Sequence, residues 1–232
     1  MNYVMSDIHG EYDKFLEMIQ KINLQDEDTL YILGNVVDCG EEPIEVLTEM
    51  AERPNIYPIM GDCEQTAADV LTMLTEDISE GEIDKLRPET VQALSEWRTK
   101  GGSKTIEEFI RLTSEERQDV LDYLCDFSKF EIVDIDDKTY ILVHRGLGDF
   151  ENKGKKLKNY TILDLAFTDV DYNNKYFDDD SVFIVSGHVP TYKLCGEDKI
   201  YKSNNNICIN CGVSEGRRLA CLCLETMQEF YI

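Results

Sequence analysis

The sequence predicts an α/β protein, and three observations support that class. Apolar runs of strand length at MNYVMS, TLYILG and NIYPIMG each end in a polar cluster and lead into a helical pattern. From about residue 64 to 128 the spacing is helical, and after residue 129 the chain turns to short β runs. The order is therefore βαβαβα, a helical segment, then mostly strands.

Taken in order, the first helix spans residues 11–22, where Tyr12, Phe15, Leu16, Ile19 and Ile22 share one core-facing stripe. Within the helical segment, Thr105 with Glu108 and Thr113 with Glu116 have capping-box spacing and mark two helix starts. Before the first of these runs WRTKGGSKT, from Trp97 to Thr105. It is not a Walker phosphate loop, because the first glycine is missing and a helix precedes it instead of a strand. Phe130 to Val143 reads as a hairpin around an acidic turn at residues 134–138. Val182 to Ser186 is a strand leading to His188, and Lys199 to Ile232 reads as a meander. With no internal repeat and no linker, one domain over residues 1–232 is expected, with a helical insertion at about 76–128.

Composition sets the outer limits. At 232 residues, with 42% hydrophobic residues, the chain can bury one sizeable core. Its net charge of −24 repels nucleic-acid backbones and anionic membranes, so neither is an expected partner. The first residues lack the apolar stretch of a signal peptide, and no run has the length of a membrane span, so a cytoplasmic location is expected. Residues 153–158 form a short basic stretch, read as a surface loop. Of the eight cysteines, Cys208 and Cys211 have CxxC spacing, with Cys221 and Cys223 close behind. Only nine residues separate the pairs and the flanks read as strands, so these are expected to be core cysteines in a reduced protein rather than a zinc site.

The chain has three histidines, His9, His144 and His188, and each lies beside or near a glycine at the end of an apolar run. In an α/β protein such positions present ligands at the carboxyl edge of a sheet. Carboxylates gather at the same kind of position: Asp7 before His9, Asp38 after Asn35, and Asp62-Cys63-Glu64 after the third run. Histidine with carboxylate at a strand edge is the donor chemistry of a divalent-metal site.

In order and spacing these segments resemble the calcineurin-like metallophosphoesterases of the phosphoprotein-phosphatase type, whose blocks read GDxHG, GDxxDRG, GNHE, HxG and GH. The five blocks fall in order between residues 5 and 190. The resemblance implies a four-layer fold, with a central β-sandwich flanked by helices and a helical insertion. Asp7 and His9 would hold a first metal and Asp62, His144 and His188 a second. Position 35 would bridge the two, and Asp38 would orient the group at position 63. The ions would be Mn²⁺, or Fe, Zn or Ni, one or two per chain. The Trp97–Thr105 segment resembles a W-x3-GG-x2-T stretch that lies over the active site in bacterial members; a plain linker between helices is the alternative.

Four positions depart from the family pattern. Asn35 stands for the bridging Asp, Cys39 for the phosphate-binding Arg, Asp62 for a metal-ligating Asn, and Cys63 for the general-acid His. An amide carbonyl compensates two cations less well than a carboxylate, so a second metal is expected to bind more weakly. Cys39 cannot make the bidentate contact of an Arg, and Cys63 is a poor substitute for a His–Asp acid pair. Arg145, next to His144, is either a replacement cation or an exposed arginine with no phosphate to meet. Two functions follow. One is a phosphoesterase acting on phosphoserine/phosphothreonine proteins or nucleotide-like substrates through metal-activated water, with weak or altered activity. The other is a pseudophosphatase that binds or regulates.

Overall fold

A computed structural model describes residues 1–79, 86–148, 150 and 157–232. Strands β1 (Asn2–Met5), β2 (Thr29–Ile32) and β3 (Ile56–Pro58) arise from the three apolar runs and pair in parallel. Parallel neighbours need long crossovers, supplied here by α1 (Tyr12–Ile22) and α2 (Pro43–Ala51). The sheet is completed on the far side of β1 by β9 (Ala220–Cys223) and β10 (Glu229–Tyr231), both antiparallel to their neighbours. A second five-stranded sheet has the order β4-β5-β6-β8-β7, built from β4 (Glu131–Ile135), β5 (Lys138–Leu142), β6 (Val182–Ser186), β7 (Tyr201–Ser203) and β8 (Asn206–Cys208). The predicted hairpin is β4–β5, closed by Asp136 and Asp137. The expected C-terminal meander is instead divided: β7 and β8 join the second sheet, while β9 and β10 return to the first. Short-range pattern reports strands, but the choice of sheet is a tertiary matter.

Side chains alternate across each sheet, as the period of a strand requires. Val4, Ala220, Leu222, Leu142 and Val185 point between the sheets, into a core shared with Leu33, Ile59 and Ile207. Tyr3, Met5, Cys221 and Cys223 point the other way, onto the helical layer of α1 and α2. Ile141, Val143 and Ile184 face outward from the second sheet, against Leu165 of α7 (Ile162–Ala166). The layers run helix, sheet, sheet, helix. The four C-terminal cysteines fall in different cores, Cys208 in one, Cys211 in another, Cys221 and Cys223 in a third, so their thiols cannot converge on one ion. In α1 the buried stripe is Phe15, Met18, Ile19 and Ile22, with Met18 taking the place expected of the half-buried Leu16.

The helical segment comprises α3 (Asp62–Ser79), α4 (Pro88–Trp97), α5 (Ser103–Phe109) and α6 (Ser114–Cys125). Helix α3 starts within the third motif, so the region of the predicted insertion begins partway along it. Thr113 and Glu116 form the predicted capping box of α6. Thr105 and Glu108 do not, because α5 begins two residues before Thr105. Both are spent on cross-links: Thr105 on Asp38, and Glu108 on the backbone N–H of Ile44 in α2, at 2.9 Å. Most of the basic stretch at 153–158 lies outside the described residues. No helix among the described residues is long and apolar enough to cross a membrane.

Burial, with the nearby charges of Glu45 and Glu42, raises the Glu108 carboxyl to about 7. A carboxyl raised on folding contributes stability that is complete below its unfolded pKa and lost as pH rises through the folded one. Stability should therefore fall between about pH 4.5 and 7 on this account. Glu108→Gln keeps an acceptor for Ile44 and removes the charge. Its urea midpoint should exceed that of wild type at pH 8 and converge with it near pH 4.5; a constant difference across that range would refute the assignment.

Candidate metal centre

The motif residues lie on loops just beyond the carboxyl ends of β1, β2, β5 and β6 and at the start of α3. Asp7 N–H bonds Gly34 O at 3.0 Å and His9 N–H bonds Asn35 O at 2.9 Å, so the first two loops are laced together. Six of these side chains sit on backbone at positive φ: Asp7 at 53°, His9 at 50°, Asn35 at 51°, Asp38 at 70°, Cys39 at 66° and His188 at 58°. Non-glycine residues avoid this region at a cost of order 1–3 kcal/mol each, and such residues cluster at functional sites. Close approach adds a further constraint at Gly187, where a Cβ would run into Ser6 Oγ and Asp7 Oδ2.

Glu64, fully buried in the first turn of α3, holds much of this shape. Its carboxylate accepts the N–H groups of Asn35 (2.8 Å), Val36 (2.7 Å), Val37 (3.2 Å) and Gly61 (3.1 Å). Burial raises its pKa, while these donors and the neighbouring His144 pull the other way. Glu64→Ala would leave four buried donors without a partner, each worth ~1–3 kcal/mol. A loss of at least ~3 kcal/mol is expected even with partial rehydration, seen as a melting point lower by ~6–12 °C. A change under ~2 °C would show that the loop holds itself.

Asp62, His144 and His188 converge. One ligand atom from each lies within 4.8 Å of the others, making them a candidate metal site. His144 is fully buried; its Nδ1 lies 2.6 Å from Leu33 O and its Nε2 2.9 Å from Asp62 Oδ1. With a carbonyl on one ring nitrogen and a carboxylate on the other, this imidazole needs a positive charge beside it, its own or a cation's. Burial lowers its pKa, but Asp62 and Asp7 outweigh that and raise it. Asp62 is likewise pulled well below the usual carboxylate range by His144 and His188, against the effect of burial. His188 stands 3.5 Å from Asp62 Oδ1 through Nδ1. Its backbone is pinned on both sides: its N–H donates to Asp7 Oδ2 at 2.8 Å, and its carbonyl accepts from Asn210 at 2.7 Å. Two imidazoles and a carboxylate suit a borderline divalent transition metal.

The other motif residues surround this cluster. Asp7 is buried, with Oδ1 3.7 Å from His9 Nε2; His9 Nδ1 faces Val37 O at 3.2 Å. Asn35 turns its amide nitrogen to Asp7 Oδ1 (3.1 Å), while its Oδ1 receives the N–H of Cys63 (3.3 Å). Arg145 has only 18% of its side chain exposed; Nη1 is 3.7 Å from Asp62 Oδ2 and Nε donates to Asp169 at 2.7 Å. Arg145 thus faces the cluster.

Asp38 is gripped by the helical segment. Trp97 Nε1–H donates to Oδ2 at 2.8 Å and Thr105 Oγ1–H to Oδ1 at 2.9 Å. Burial pushes its carboxyl up to about 6, opposed by these bonds and one from Cys63. Between α4 and α5 the chain kinks over Arg98–Gly102, with Gly101 at φ 113°. Gly101 O accepts the N–H of Cys39 at 3.0 Å, and a Cβ on Gly101 would meet Cys39 Sγ at 2.8 Å. The Trp97–Thr105 segment therefore lies against the second motif. Cys63 borders Asp38, and its thiol is pushed well above its ordinary pKa by burial and by the charges of Glu64, Asp38 and Asp62. Cys39 is exposed.

A paired-sheet fold with histidines and carboxylates at the strand ends is the arrangement of a metallophosphoesterase. The family model of calcineurin-like phosphoesterases matches residues 3–214, and the chain belongs to that family. No curated protein sequence matches it. Among solved structures, a protein assigned as a diadenosine tetraphosphatase is 13% identical with a TM-score of 0.65, over 100% of this chain and 92% of that one. A protein serine/threonine phosphatase from Saccharomyces cerevisiae is 12% identical with a TM-score of 0.62, over 100% and 78%. A cold-active protein-tyrosine phosphatase from a Shewanella species is 15% identical with a TM-score of 0.55, over 99% and 76%. At these identities the likeness is one of fold.

Proposed function

We propose that this chain is a metal-dependent phosphoesterase that hydrolyses phosphate monoesters, of the phosphoserine/phosphothreonine or nucleotide-like kind, with weak or altered turnover. The observation that carries this reading is the Asp62–His144–His188 cluster with Arg145 at its edge. A divalent ion held there, Mn²⁺ or one of Fe, Zn and Ni, supplies Lewis acidity toward a phosphoryl oxygen and water activation. Asp7 adjoins the cluster through the Asn35 amide and the His188 N–H, with His9 3.7 Å from its carboxylate.

The chain's own groups have separate tasks. Arg145 offers a phosphate oxygen a charged donor next to the cluster, and Asp169 holds its guanidinium in place. Asp38, fixed by Trp97 and Thr105, orients the thiol of Cys63. That thiol stays protonated with its single hydrogen directed at Asp38, so it is a poor proton donor to a leaving oxygen. With neither a histidine acid nor an arginine in the second motif, slow turnover is the chemical expectation. One guanidinium at the cluster also favours a compact monoester dianion over a longer polyphosphate, given the net charge of −24.

The test is hydrolysis of an aryl phosphate, a phosphoserine peptide and a dinucleoside tetraphosphate by Mn²⁺-loaded protein. Metal-dependent release of phosphate, fastest from a monoester, is the expected result. Stoichiometric metal binding with no hydrolysis of any of the three would establish the pseudophosphatase instead.

A further inference from the structure

By the family pattern, position 35 bridges two cations. The geometry points to a different use of it: this chain holds one divalent ion, in the Asp62–His144–His188 cluster, and the side-chain amide of Asn35 fills the place beside Asp7 where a second ion would sit. This rests on the metal-dependent reading above and fixes its stoichiometry.

The Asp7 carboxylate already accepts three hydrogen bonds. Oδ2 accepts the N–H of His188 at 2.8 Å and the hydroxyl of Ser6, and Oδ1 accepts the Asn35 amide N–H at 3.1 Å. The amide cannot turn to offer oxygen to a cation without loss. Its Oδ1 accepts the N–H of Cys63 at 3.3 Å, so a half-turn would set NH₂ against that buried N–H and aim the carbonyl oxygen at the Asp7 carboxylate. A donor on one side and a carboxylate on the other fix the amide's direction. Asn35 thus presents the positive end of a dipole to Asp7, which an aspartate at this position could not do.

The ligand set supports the same count. The carboxylates facing the cluster are Asp7 and Asp62, since Asp38 is taken by Trp97 and Thr105 and Glu64 by four backbone N–H groups. Arg145 adds a positive charge 3.7 Å from Asp62. With the Asn35 amide between them, no third carboxylate joins Asp7 to Asp62, so a second cation beside Asp7 would lack a charged bridging ligand. Among the described residues, ligand atoms converge at the one cluster of Asp62, His144 and His188, and His9 stands outside it.

Metal content is the decisive measurement, taken on protein loaded with excess Mn²⁺ and freed of unbound ion, with calorimetry for site number. Wild type is expected to carry one ion per chain, with the electron-paramagnetic-resonance spectrum of an isolated Mn²⁺. His9→Ala should keep that one ion, and Asn35→Asp should bind two. Two ions in wild type, or loss of bound ion in His9→Ala, would overturn the inference while leaving the metal-dependent reading intact. No ion in wild type would overturn both. A folded Asn35→Asp protein that still binds one ion would remove the amide as the cause. If that variant does not fold, wild type and His9→Ala decide the matter between them.

Discussion

His144→Ala combined with His188→Ala is expected to abolish Mn²⁺ binding, with affinity falling by more than ~100-fold, the most that loss of an outer-shell partner alone usually costs. The two imidazoles supply two of the three convergent ligand atoms, leaving only Asp62. A lone carboxylate, partly neutralised by Arg145, is a weak site for a divalent ion. His144 also fills buried space and caps Leu33 O, so the double variant should melt lower than wild type. Calorimetry on folded protein separates the two effects, and the single variant His188→Ala, at a half-buried position, carries less risk to the fold. Unchanged Mn²⁺ affinity in the folded double variant would refute the centre.

Much of this was legible from local sequence. The three apolar runs became β1, β2 and β3, because parallel strands are apolar segments between turn signals. The strand-end histidines and carboxylates gathered at one edge because strands in parallel bring their carboxyl ends together. What local sequence could not report was partnership across distance. Glu64 reads as an ordinary acidic residue in the first turn of a helix, yet it ties down the second-motif loop 27–29 residues away. Thr105 and Glu108 match a capping box in spacing, but Asp38 and Ile44 bid for the same side chains, and a buried carboxylate is the stronger partner. Asp169 and Asn210 carry no motif at all; they matter only because Arg145 and His188 fold against them. The division of the C-terminal strands between two sheets has the same origin, since Ile207 and Leu222 show similar alternation and only the whole fold decides which edge each strand meets.

Reverting the four departures together, Asn35→Asp, Cys39→Arg, Asp62→Asn and Cys63→His, should raise turnover of an aryl phosphate with Mn²⁺ by at least ~10²-fold, the lower end of an acid–base contribution. The surroundings can receive each change. Asp38 already borders position 63 and is held by Trp97 and Thr105, so a histidine there would find an orienting carboxylate. Cys39 is exposed and already sits at φ 66°, so an arginine has an outward path and adds no new class of backbone strain. Asn35→Asp ends the amide's bond to Asp7 and restores a bridge between two cation positions, while Asp62→Asn keeps the net charge unchanged. Such groups act as a unit, so each single reversion should do little. Asn35→Asp alone adds a carboxylate without the acid or the clamp, and Cys63→His alone adds an acid to a site with one ion. Rates for wild type, the four single variants and the quadruple, with metal content measured on each, decide the matter. A quadruple protein that folds and binds two ions yet is no faster than wild type would mean that something other than these four positions limits the chemistry. A wild type already as fast as the quadruple would mean that Asn35 and Asp62 form a working exchange, with Arg145 and one ion sufficient for catalysis.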